Sequence, residues 1–178
     1  MLLCNIFKRI KRGVNMKKIL LLLLISFIAK PDYSGVDLRV ATDGDVDLIG
    51  IGYRQVNSKL SFGVGVGRAE YAGISGTVSG VDLAYAFTDF NTGSFYVDLA
   101  YNNVDVLGIS VSDTNFGLCY AKAAGDGLDY DVGISDSEAG TVFSADLTNW
   151  LDNRLGIGAG IAVDEFDTAV AVNLIYKF

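Results

Sequence analysis

The sequence predicts an all-β fold: an antiparallel up-and-down meander of about ten strands, with eight as the alternative, closed into a β-barrel. Three observations predict it. Beyond Pro31 no stretch keeps a helical period, and apolar residues recur at every second position instead. Segments close to ten residues long are separated by short clusters of Gly, Asn, Asp and Ser. The chain then ends on a strand that alternates to its last residue. Val170, Val172, Leu174, Tyr176 and Phe178 share one face, and Ala169, Ala171, Asn173, Ile175 and Lys177 share the other. A terminus that merely frayed would not need an aromatic held in phase there.

Before the meander comes a leader, residues 1–29. Lys17 and Lys18 precede an apolar run from Ile19 to Ile28 that only Ser26 interrupts. The run is too short to span a bilayer, which takes roughly 20 residues. It fits the core of a secretory signal peptide, with Met16 as an alternative true start and Ala29 as the candidate last leader residue. The barrel is expected over 33–178. Its strands are placed at 33–42, 45–55, 59–71, 77–88, 94–103, 113–122, 127–136, 140–149, 154–163 and 168–178. The first ends at "TDGD", the second at "VNSK", the fourth at "TDFNTG" and the sixth at "AAGDG". "DSEAG" ends the seventh, "NWLDNR" the eighth and "DEFD" the ninth. Each cluster is turn chemistry between alternating runs, so sequential strands pair as hairpins. The stretch "NVDVLGISVS" (103–112) reads either as a loop or as an extension of the two strands beside it. Strands of this length suit a tilted membrane crossing, which takes roughly 9–11 residues.

The kind of small or polar residue decides which face points outward. In "KLSFGVGVGR" one face holds Leu60, Phe62, Val64 and Val66, and the other Ser61, Gly63, Gly65 and Gly67. In "RLGIGAGIAV" the faces are Leu155, Ile157, Ala159, Ile161 and Val163 against Gly156, Gly158, Gly160 and Ala162. A wet strand surface would carry Lys, Glu, Arg and Thr; glycine there would only weaken the strand. Small side chains suit an enclosed interior, so the bulky face is read as outward, toward lipid, in a transmembrane barrel. Tyr53, Phe62, Phe87, Phe95, Tyr120, Tyr130, Trp150, Tyr176 and Phe178 are placed at one rim, and Tyr71, Tyr101 and Phe166 at the other, as aromatic girdles.

"AFTDFNTGSFYVDLAY", "LTNWLDNRLGIGAGIAV" and the closing "VNLIYKF" resemble small outer-membrane β-barrel proteins of Gram-negative bacteria, a porin-like group. The resemblance covers about 34–178. It implies location in the bacterial outer membrane and both termini in the periplasm. It also implies a C-terminal signal for the barrel-assembly machinery at Val172, Leu174, Tyr176 and Phe178. Lipid and lipopolysaccharide would be the surroundings of a monomer. The links at 42–45, 72–76, 103–112, 136–140 and 164–167 would then be outer loops. Three carry acids: Asp43 and Asp45; Asp136 and Glu138; Asp164, Glu165 and Asp167. These are read as solvated surface, since lipopolysaccharide phosphates would meet them only through divalent cations.

Composition excludes several chemistries. The chain of 178 residues has no histidine, so no Ser-His or Asp-His mechanism and no His-based zinc site is expected, and the protein is read as not an enzyme. From Lys30 onward it holds 8 basic and 21 acidic residues, a poor match for nucleic acid. The runs "GVGVG" and "GIGAGI" lack the spacing of a phosphate-cradling loop, and no cofactor is expected. Cys119 falls in the inward phase with no base to activate it, and is read as a space-filler. The lumen-facing acids are the remaining candidates: Asp82, Asp98, Asp129, Asp131 and Asp146, with Arg39 and Lys177 on the same face. They point to a structural network or to a narrow, cation-preferring channel. The other readings are a surface adhesion barrel and a secreted soluble barrel that binds an apolar ligand.

Overall fold

A computed structural model describes residues 33–88, 93–125, 127–137, 140–165 and 167–178, and among them every regular element is a β-strand. There are ten: β1 (Gly35–Thr42), β2 (Val46–Asn57), β3 (Leu60–Tyr71), β4 (Ile74–Ala86), β5 (Ser94–Val106), β6 (Ile109–Gly125), β7 (Leu128–Ser137), β8 (Gly140–Trp150), β9 (Leu155–Val163) and β10 (Thr168–Lys177). Each pairs antiparallel with its sequence neighbours, and β10 pairs with β1 to close the ring. The expected leader, residues 1–29, lies outside the described residues, as does Phe166.

The stretch 103–112 is not a loop. β5 and β6 run on to Val106 and Ile109, and a two-residue turn at Leu107 and Gly108 joins them. Both turn residues have positive φ, 54° and 79°. The same pattern holds at Ala72 and Gly73, at 49° and 78°. This turn geometry matches the twist of the flanking strands, which is why so short a link suffices. The sequence hid the first of these turns because leucine rarely tolerates the left-handed region. At the opposite rim Asp152 Oδ1 accepts the backbone N–H of Arg154 (2.7 Å) and of Leu155 (2.6 Å), and these bonds hold its carboxyl below the usual range.

Pairing fixes the stagger of the ring. From Arg39 the paired residues run through Gly50, Gly67, Val78 and Val104 to Val111 on β6. The other way they run through Asn173, Gly158, Thr148 and Asp129 to Ala123 on β6. The two routes end 12 residues apart, 123 minus 111. Strands in such a barrel tilt by about 35–45°.

The outward face is apolar along the strands. Leu60, Phe62, Val64 and Val66 are all exposed, as are Ile157 and Ile161, while Ser61 and Gly63 beside them are buried. On β3 and β9 the bulky apolar side chains therefore face outward and the small ones inward. Rings line the rim that holds the termini. Tyr130 meets Tyr120 at 6.2 Å and Tyr120 meets Phe95 at 4.8 Å. Tyr85 meets Phe87 at 6.5 Å, and Phe178 lies 6.2 Å from both Tyr53 and Tyr176. Two residues assigned to the girdles turn inward instead. Trp150 shares the inward phase of Asp146 and Thr148, and Tyr71 packs against the buried cluster at the loop end. Their strands' parity places them there, and both are large enough to cap a narrow lumen.

Candidate functional site in the barrel lumen

The interior is layered. At the loop end Ala41, Val46, Leu48, Ala69, Val78, Val104, Val142, Ala162, Ala169 and Ala171 form an apolar cluster. Nearer the termini Ala84, Ala86, Tyr96, Cys119 and Ala121 form a second one. Charged and polar residues fill the space between them, and a further cluster closes the end at the termini. There Tyr33 meets the Trp150 ring edge-on at 5.8 Å, Lys177 Nζ lies 5.3 Å from the same ring, and Trp150 Nε1 donates to Asp129.

One rule positions four of the inward acids: each sits directly across from a glycine on a neighbouring strand. The pairs are Asp37 with Gly52, Asp82 with Gly63, Asp98 with Gly117 and Asp146 with Gly160; Asn173 pairs likewise with Gly158. In every pair a Cβ on the glycine would collide with the partner's carboxyl or amide. The glycines therefore do more than narrow the wall. They are the floor on which cross-strand polar side chains lie flat.

Arg54, Gly63 and Asp82 extend the rule over three strands. Arg54 is paired with Gly63, which is paired with Asp82. The guanidinium crosses the glycine and donates Nη2 to Asp82 Oδ2 at 2.7 Å and Nη1 to Ser61 Oγ at 2.7 Å. A Cβ at Gly63 would lie 2.8 Å from Arg54 Nη2. Both partners are buried, so the ion pair is dry and its loss would strand a charge.

The five acids expected in the lumen all carry inward side chains. Asp82, Asp131 and Asp146 are buried; Asp98 and Asp129 are half-buried. The structure does not gather them at one point. Asp82 pairs with Arg54, Asp98 accepts from Cys119 Sγ at 3.5 Å, and Asp129 holds Trp150. Asp131 and Asp146 face each other across β7 and β8, with the Tyr96 hydroxyl donating to Asp131 Oδ2 at 2.6 Å. Arg39 is buried, with Nε 3.8 Å from Asp37 Oδ2. Sequence reasoning missed Arg54, Asp37, Asn102, Asp113 and Asn115. Arg54 was legible from its phase, since Gly50 and Gly52 precede it on the same face. Asn102, Asp113 and Asn115 fall inside the expected strands 94–103 and 113–122, and only the register that sets Asn102 across from Asp113 brings them together.

Among the described residues no three or more His, Cys, Asp and Glu side chains come close enough to hold a metal. A cavity of about 10 Å³ beside Asp37, Arg39, Gly50, Gly52 and Gly67 has room for about one water. No family model matches the chain, and no curated protein sequence matches it. Solved structures do. The chain is similar to the KdgM porin at 12% identity over 81% of this chain and 99% of that one, with a TM-score of 0.50. It is also similar to the KdgM porin in complex with disordered oligogalacturonate, at 11% identity over 81% and 99% with a TM-score of 0.49. A third is an anion-selective porin from Comamonas acidovorans, at 15% identity over 74% of this chain and 49% of that one, TM-score 0.34. The first likeness shows a porin-like closed barrel and speaks only of fold.

Proposed function

We propose that this chain is an outer-membrane barrel whose lumen is closed, acting as a non-enzymatic structural component of the membrane and not as a diffusion pore. The carrying observation is the filled interior: two apolar clusters and the Tyr33–Trp150–Lys177 cap bracket a polar layer whose members are almost wholly inaccessible. Placement in the outer membrane is supported by the apolar outer face, the ring of aromatics at the terminal rim and Phe178 closing that ring. Lipid and lipopolysaccharide would surround a monomer, and Val172, Leu174, Tyr176 and Phe178 would address it to the assembly machinery.

A narrow cation path is the second reading, and one observation favours it. The inward acids Asp37, Asp82, Asp98, Asp113, Asp129, Asp131 and Asp146 outnumber the inward cations Arg39, Arg54 and Lys177. The same excess disfavours polyanions such as the oligogalacturonate of the KdgM complex. Planar-bilayer recording of refolded protein under a salt gradient separates the readings. Silence is expected; steady current with cation reversal would replace the closed-lumen reading with the channel.

A further inference from the structure

Three inward residues on the β5–β6 wall stand together without explanation. Asn102 is directly opposite Asp113, and Asn115 is opposite Ala100, one pleat further along the same face. Ser135 lies further along the same face on β7, opposite Gly117. Asn102 is 0% exposed, Asn115 1% and Asp113 3%. None of their side-chain polar atoms has a hydrogen-bond partner: both oxygens of Asp113, both polar atoms of each asparagine, and Ser135 Oγ as well. Directly opposed side chains on an antiparallel pair lie about 4.5–5.5 Å apart at Cβ. Asparagine amides are natural donors to a carboxylate at that range, yet they do not bond it. Orphaned polar groups in native interiors are few and call for a cause, often an ion or water. Apolar neighbours offer none here, since Val104 and Val142 belong to the loop-end cluster.

We propose that Asn102, Asp113 and Asn115 form a binding site for a hard cation of calcium's size. The donors would be one carboxylate and two amide carbonyls, with water completing the shell, all oxygen and of the kind that suits Ca²⁺ with its loose, high coordination number. Neutral oxygens make up most of the set, so the site is invisible to a search for clustered acids. Mg²⁺ fits worse, because it demands a tight octahedron and sheds water reluctantly. Burial implies that the ion is enclosed as the barrel closes and exchanges slowly afterwards. The lumen's acid excess favours its entry.

The test uses the full chain refolded in detergent with CaCl₂, passed over chelating resin and assayed by atomic emission, with the thermal midpoint read alongside. The wild type should retain about one Ca²⁺ per chain and melt higher than protein refolded in EDTA. D113N keeps the shape, removes the charge and should retain none, whereas the exposed-site control D136N should match the wild type. If D113N does not fold, N102L and N115L serve instead, and each should lower retention about tenfold or more. A wild type without calcium, or D113N retaining it fully, overturns the site; equal retention of Mg²⁺ overturns its size preference. The result stands apart from conductance: a leaking barrel that keeps its calcium refutes the closed lumen and not this site, and a silent barrel without calcium does the reverse.

Discussion

Val64 and Gly63 are neighbours in the chain and meet opposite surroundings. Val64 looks outward among Phe62 and Val66, whereas Gly63 lies beneath the Arg54–Asp82 ion pair. Val64→Arg should therefore impair assembly, because arginine on a lipid face costs about 2–4 kcal/mol near midplane. The fraction of heat-modifiable, membrane-embedded barrel measures this, and full assembly of the variant would show that the outer face does not meet hydrocarbon. Gly63→Ala adds one methyl group where the guanidinium passes. It should pry the pair apart at a cost of about 3–5 kcal/mol, the range for breaking a buried pair. Denaturant unfolding of the folded variant reads it, and a loss under about 1 kcal/mol would mean that the guanidinium finds another path. The inward phase of Gly63 was legible in the sequence, but its purpose was not. Alternation says which face a glycine is on; only register says that Arg54 and Asp82 meet over it.

β10 shows an element in which local and global demands agree. Its alternation is unbroken, it pairs with β1 over Gly35–Lys177 to Thr42–Val170, and Phe178 N–H donates to Ser34 O at 3.0 Å. The terminal ring then touches Tyr53 on β2 and Tyr176 on its own strand. The last residue thus seals both the seam and the girdle. Deleting Phe178 should lower the yield of assembled barrel while leaving total synthesis unchanged, as read by the ratio of heat-modifiable to unfolded protein in membrane fractions. An unaltered ratio would remove the terminus from the assembly argument. The β5–β6 hairpin shows the converse. "NVDVLGISVS" lacks a usual turn dipeptide because Leu107 occupies a left-handed position, so its strand ends were underestimated on both sides. Trp150 and Tyr71 are a third case: nearness to a strand end suggested a girdle, and parity sent both rings inward.

Closure belongs to the whole molecule. Ten strands with a stagger of 12 enclose a lumen that side chains can fill, and Asp37, Asp82, Asp98 and Asp146 lie across glycines on its walls. Two ends hold the seal: the loop-end cluster around Leu48, and the cap around Trp150. Replacing both, as Leu48→Ala with Trp150→Ala, should admit small cation-selective currents in bilayers where the wild type is silent. Anion selectivity in that variant would show that the acid excess does not set the field. The sequence by itself determined the barrel class, a count of about ten strands, the outward apolar face and the inward side of Asp82, Asp98, Asp129, Asp131 and Asp146, because a period of two and the small residues on one of its faces are local properties of the chain. Tertiary structure alone decided which acid lies over which glycine, that Arg54 answers Asp82, and that Asn102, Asp113 and Asn115 share one dry corner. Those facts depend on register and stagger, which arise only when every strand has found its partner and the ring has closed.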